Sequence, residues 1–279
     1  MYIYHMKTKL LLFSALAFIM LCFNGCTPDE KCVDFTDWRG LKIRGKIKTM
    51  VTETYKGLEV SKFNDQAPHP MLDYYRSECN VDINGHITNQ VFYDSNGLFQ
   101  TIYYNYDDKH RETKMTVYDK YKNILAIEYR KYNEKEGQVE SSVFKLDDQM
   151  HEIFVRKEVF SFNEKCHRIK ASVYDSESKL LNETVSKRDD SGFLIEEIVT
   201  QSAGFDYNIT NQFENDNFGN WIAKKVVLNG EWRGQNLKDF ISDRANSVYT
   251  YDSQGNWLTW QEYLNSEPSR FTVRTFTYW

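Results

Sequence analysis

Several short patterns in the 279-residue chain carry residue types that do chemistry. Gly40-x4-Gly45-Lys46 has the glycines and lysine of a phosphate loop, whose backbone N–H groups cradle phosphate. Ile47 follows where a magnesium-binding hydroxyl would be required. His151-Glu152 opens a metalloprotease-like pattern, but Val155 occupies the second histidine's place. Ser176-Glu177-Ser178-Lys179 has the spacing of a lysine-activated serine, yet it falls between strand-like runs rather than at a helix start. Asp82-x-Asn84-Gly85 and Asp94-x-Asn96-Gly97 echo calcium loops without the remaining ligands. No two of the six histidines stand at ligand spacing. The expectation is therefore a chain with no catalytic residue, no metal and no cofactor. The alternative is an envelope glycan hydrolase that uses a carboxylate pair.

The remaining chemistry is aromatic. The chain holds 19 Tyr, 18 Phe and 6 Trp, far more rings than its size requires. Trp221, Trp257 and Trp260 gather in the last third and are the candidate ligand-binding residues. Rings combine apolar faces with polar edges, which suits stacking on sugars or a protein partner. The competing expectation is that these rings are core.

The N-terminus reads as an address. Lys7 and Lys9 precede an apolar run from Leu10 to Phe23. A membrane-spanning helix needs about 20 residues, so this run has the length of a signal-peptide core. Phe23-Asn24-Gly25-Cys26 resembles a bacterial lipoprotein cleavage box. That implies a helical signal peptide over 1–25, lipid attachment at Cys26, and a tether with a short N-terminal segment over 26–40. Asp29-Glu30 resembles an acidic pair that directs some lipoproteins to the cell surface, so the expected place is the bacterial outer membrane. Acids outnumber bases 40 to 35 and no long basic run occurs, which argues against a nucleic-acid partner. Beyond Cys22 and Cys26, the cysteines are Cys32, Cys79 and Cys166. Cys32 paired with Cys79 or Cys166, and three free thiols, are both open.

The rest must position whatever does the work. An aromatic residue followed by an acid or amide and a polar turn recurs, as in Tyr93-Asp94-Ser95-Asn96-Gly97, Tyr106-Asp107, Tyr118-Asp119, Tyr132-Asn133, Phe162-Asn163, Tyr174-Asp175, Phe213-Glu214 and Tyr251-Asp252. Asp or Asn at a turn start bonds the backbone two residues on, and Gly supplies positive φ. Between Pro70 and Pro268 there is no proline, as a long series of paired strands requires. The expected fold class is all-β: an antiparallel meander of strand-turn units forming a strongly curved sheet or barrel-like structure. The first strand is expected over Ile43 to Tyr55, after a short helix or turn at Asp34 to Leu41. Leu98, Gln100, Ile102, Tyr104 and Tyr106 should share one face, and Ile169, Ala171 and Val173 another strand's buried face. Residues 232–246 are expected to form an elongated hairpin loop.

These Tyr-Asp-x-x-Gly units resemble YD repeats of the RHS type. Leu41-Lys42-Ile43-Arg44-Gly45-Lys46-Ile47, Gly219-Asn220-Trp221, Gly255-Asn256-Trp257 and the ending Arg274 to Tyr278 extend the likeness to bacterial envelope lipoproteins with degenerate RHS-like repeats. The resemblance covers residues 41–279 as one β-repeat domain. Several units lack the glycine, with His110, Asn123 and Lys179 near its place. The resemblance implies a non-catalytic binding or structural module. It would be held at the membrane by its lipid, with a glycan or protein as ligand.

Overall fold

The computed structural model describes residues 45–56, 74–201, 206–232 and 235–279, with backbone alone for 201, 206–207, 231–232 and 235–243. The expected signal helix, Cys26, Cys32, the 26–40 segment and the helix or turn at Asp34 to Leu41 lie outside the described residues.

Among the described residues sixteen strands follow one another: β1 (Ile47–Lys56), β2 (Tyr74–Val81), β3 (Ile87–Asp94), β4 (Gly97–Tyr106), β5 (Glu112–Asp119), β6 (Ile124–Asn133), β7 (Gln138–Leu146) and β8 (Glu152–Phe162), then β9 (Arg168–Asp175), β10 (Leu180–Arg188), β11 (Leu194–Gln201), β12 (Asp206–Asn215), β13 (Trp221–Trp232), β14 (Gln235–Tyr251), β15 (Trp257–Leu264) and β16 (Glu267–Tyr278). Each pairs antiparallel with its sequence neighbours, and β16 returns to β1 with Phe276 opposite Met50. The expected curved sheet is thus a closed barrel, which leaves no unpaired edge. The first strand begins at Ile47 rather than Ile43. Within 232–246, residue 232 ends β13 and residues 235–246 lie in β14, so long paired strands stand where a loop was expected.

The repeat is a turn of fixed chemistry. At Asp216 the backbone N–H donates to the Asn220 carbonyl (2.8 Å), and the Gly219 N–H donates to the Asp216 carbonyl (2.9 Å). The Asp216 carboxylate accepts the Phe218 and Asn220 N–H groups, both at 2.8 Å. Backbone bonds of the same pattern begin at Asp82, Asp107, Asp119, Asp147, Asn163, Asp175, Asp189 and Asp252. The fourth residue of each unit has positive φ, whether it is Gly85 or Gly255 or, without glycine, His110, Lys122, Met150, Cys166 or Ser178. The left-handed position is therefore Lys122 and Ser178, one residue before Asn123 and Lys179. The turns at Asp147 and Asp189 escape an aromatic-acid search because Leu146 and Arg188 precede them.

Gly219 has a second reason to be glycine: an added Cβ would collide with the Phe193 ring from the neighbouring turn. Gly219→Ala should cost about 1–3 kcal/mol in urea unfolding, through left-handed strain and displacement of that ring. Gly97→Ala shares the positive φ but meets open space, so it should cost less.

Successive side chains point to opposite faces, and directly paired residues share a face. Met50, Cys79, Gln90, Ile102 and Val117 form one row across β1 to β5, and all are buried. This row marks the inner face. Tyr103, Thr116, Ile127, Phe144 and Phe154 form a row on the outer face, where Tyr103 is half exposed. The expected β4 alternation matches this division, with Gln100 and Ile102 inside. In β9, Ala171 and Val173 point inward as expected, but Ile169 is exposed. A register shift between Ser161 and Phe162 turns Arg168 inward in its place.

Candidate functional site

In an up-and-down barrel, turns alternate between two rims. The terminal rim carries the start of β1, the end of β16 and the turns beginning at Asp82, Asp107, Asn163, Asp189, Asp216 and Asp252. Here the tyrosines of the repeat act as staples between neighbouring turns. Tyr106 donates to the Ile87 carbonyl (2.9 Å) and Tyr132 to the Glu112 carbonyl (2.8 Å). Tyr251 donates to the Asp216 carboxylate, and Tyr278 to the Asp252 carboxylate at 3.0 Å. Much of the aromatic excess is thereby structural.

The inner face has three sectors. Across β1 to β5 it is largely apolar, built on Met50, Cys79, Ile102, Met115 and Val117. Cys79 is a buried thiol outside any disulfide, which removes the Cys32–Cys79 pairing. Cys166 is disulfide-bonded, which corrects the expectation of three free thiols.

Across β5 to β11 the inner face carries ions. Arg130 bonds Glu128 at 2.9 Å and Glu112 at 3.2 Å. Arg156 meets Glu158 at 2.8 Å, and Arg168 stands 3.7 Å from Glu197. Ser141 lies directly between Arg130 and Glu158, at 1% exposure, and its small side chain leaves room for the long ones. Burial raises the Glu158 carboxyl, Arg156 works against this, and the neighbouring Glu128 charge adds to the rise. Burial also lowers Arg168 and Arg188. Carboxylates that are solvent-excluded and arginine-bound are poorly placed to meet a glycan.

The third sector brings the three candidate tryptophans together. Trp221 meets Trp260 edge to face at 5.9 Å, and Trp257 meets Trp260 at 6.3 Å. Tyr249 lies parallel to Trp260 at 6.2 Å. The Trp260 indole donates to Ser247 (2.8 Å), and the Arg274 guanidinium sits 3.4 Å from the Trp257 ring centre. Trp221 and Trp257 both open their strands directly after a terminal-rim turn, so the cluster stands next to that rim. All three tryptophans are partly buried.

The calcium-like, Ser-x-x-Lys and His-Glu patterns fall at turns, and Gly40 of the phosphate-loop pattern lies outside the described residues. The Asn84 N–H donates to Asp82 and the Lys179 N–H to Asp175, both at 2.9 Å, and His151 reaches back to Asp147. Among the described residues no group of three or more His, Cys, Asp or Glu could hold a metal. These turns give the barrel its acid response. Burial works to raise the Asp82, Asp107 and Asp252 carboxyls, but hydrogen bonds from His86, Arg111 and Asn256 outweigh it and hold them below the usual range. Asp119 and Asp147 are lowered by bonds from Asn123 and His151. Carboxylates with depressed folded pKa stabilise fully above the unfolded value, near about 3.9, and lose that contribution as pH falls through the folded one. The melting temperature should therefore drop steeply below about pH 4, and Asp252→Asn should flatten the drop.

Both faces differ from those of a membrane pore. A 16-stranded barrel of open section encloses water. Here inner polar groups are nearly sealed, with Glu158 at 7%, Ser247 at 6% and Thr272 at 2% exposure, so the interior is filled. The outer face carries charges in mid-strand: Lys157 with Glu140, Lys170 with Glu183, and Arg76 with Glu78 and Glu53. A Lys or Arg facing lipid at the bilayer midplane costs about 2–4 kcal/mol, so this face is built for water. Among the described residues no helix is long and apolar enough to cross a membrane.

No family model matches the chain. No curated protein matches it in sequence. Among solved structures, it is similar to a porin-like protein from Bacteroides uniformis, with TM-score 0.50 and 10% identity over 83% of this chain and 98% of that one. A TcdB2-TccC3-Cdc42 structure overlaps 80% of this chain and 11% of its own, at TM-score 0.28 and 14% identity. The Photorhabdus luminescens Tc holotoxin pore overlaps 72% and 16%, at TM-score 0.19 and 10% identity. The last two scores carry no fold argument. The first, at its low identity, is a likeness of fold alone.

Proposed function

We propose that this chain is a lipid-anchored lipoprotein of the bacterial outer membrane whose barrel is a non-catalytic binding module. The reading rests on the aromatic sector: Trp221, Trp257, Trp260 and Tyr249 converge beside the terminal rim and are only partly buried. Rings in that state suit stacking on a glycan or a protein side chain. The resemblance to RHS-like envelope lipoproteins and the Cys26 box support the same assignment.

The test is a glycan and envelope-protein binding screen on the barrel, followed by Trp257→Ala. The expected result is binding weakened about 30-fold or more, equivalent to about 2 kcal/mol at a stacking residue, with cooperative melting retained. Unchanged binding by the folded variant would remove the aromatic sector as the site. Turnover of any glycan in the screen would favour the hydrolase alternative.

A further inference from the structure

Cys166 stands in the turn between β8 and β9 at the terminal rim, in the left-handed position of its unit (φ 63°). Its N–H donates to the Asn163 carbonyl at 2.8 Å, and the Asn163 side chain accepts the Lys165 and His167 N–H groups, both at 3.0 Å. The turn holds the sulfur in place, and that sulfur is in a disulfide. The chain has five cysteines, and Cys79 is a thiol outside any disulfide. That leaves Cys22, Cys26 and Cys32, all of which precede β1. On the lipoprotein assignment proposed above, Cys22 leaves with the signal and Cys26 gives its sulfur to the lipid, so Cys32 remains.

We propose that Cys166 is bonded to Cys32, and that this bond turns the terminal rim toward the lipid surface that holds the acyl chains. As the S–S bond forms, both thiols give up their protons. A disulfide oxidant of the envelope takes the two electrons and two protons and becomes a dithiol. The chain from Cys26 to Cys32 reaches at most about 22 Å when fully extended. The eleven residues of β8 extend about 36 Å from the same turn toward the opposite rim. The bond therefore confines the lipid to the terminal end of the barrel. Without it, the chain from Cys26 to Gly45 reaches about 68 Å, and either rim can face the bilayer. The aromatic sector stands beside the confined rim, so its ligand is met at the membrane surface.

Peptide mapping of the acylated protein, digested without reductant and with thiols blocked, tests the pairing. A linked peptide holding Cys32 and Cys166 is expected. A Cys26–Cys166 link, or Cys166 recovered as a thiol, would overturn it. Labelled palmitate separates the pairing from the anchor: Cys166→Ser should keep its label, and a Cys32–Cys166 protein without label would contradict the anchor while upholding the bond. Orientation is read in phosphatidylethanolamine–phosphatidylglycerol vesicles that carry a quencher-labelled lipid. Ile83 and Met150 are both exposed, one in a terminal-rim turn and the other in a turn of the opposite rim. A fluorophore placed through Ile83→Cys should be quenched, and one placed through Met150→Cys should not. Cys166→Ser should lose that difference. If Cys166→Ser fails to fold, Cys32→Ser carries the same test. Equal quenching at the two rims of the bonded protein, or a difference that survives loss of the bond, would overturn the orientation.

Discussion

Replacing Arg130 with Met should destabilise the barrel by about 3–5 kcal/mol. Arg130 is the shared partner of Glu112 and Glu128 on the sealed inner face. Its removal takes the shared cation away from two buried carboxylates, and breaking a buried pair from one side costs roughly that amount. Replacing all three members by apolar residues of similar volume should cost much less, because no uncompensated charge remains. Urea unfolding of Arg130→Met and of the triple variant Glu112→Leu, Glu128→Leu, Arg130→Met measures both. If Arg130→Met lost less than about 1 kcal/mol, the ions would be solvated and the interior would not be filled.

Trp260→Ala should have the second large effect, about 3–5 kcal/mol in the same measurement. Trp260 touches Trp221, Trp257 and Tyr249, and its N–H satisfies the buried Ser247 hydroxyl. It is the hub of the sector. Trp257, which stands at the strand start and covers Arg274, should cost less. Trp260→Phe should recover part of the loss by restoring ring volume without the indole donor. Equal costs at Trp257 and Trp260 would mean that the sector is core throughout, with no accessible ring left for a ligand.

The parts of this fold that were legible in the sequence are local. An Asp at the start of a turn, a left-handed residue three positions on and an aromatic before it all fall within five residues, so strand order and hairpin pairing could be read. Closure could not, because it depends on β16 meeting β1, with Met50 opposite Phe276. No local pattern encodes a contact across that separation. The ion sector was missed for a related reason. Glu112, Arg130 and Glu158 belong to three strands and meet only through register, while alternation alone assigns a charged residue to the wet face. Ser141, small and flanked on its face by Val139 and Val143, was the available signal for long side chains crossing above it. The same limit explains Arg168, where a one-residue register shift exchanged the faces of Arg168 and Ile169. Long, apolar-poor strands explain 232–246, whose pairing with β13 overrides a composition that reads as loop. The three tryptophans could be named, but their convergence depends on the turns at Asp216 and Asp252 facing the same rim.

In the proposed function the barrel is filled and faces water, and the lipid at Cys26 would be what holds it at the membrane. The most direct measurement is detergent partitioning of the Cys26→Ala protein, with size-exclusion chromatography in plain buffer. The unlipidated protein should enter the aqueous phase and elute as a monodisperse species without detergent. It should give no conductance when added to planar bilayers. Partitioning into the detergent phase without the lipid, together with ion-conducting channels, would contradict the proposed function.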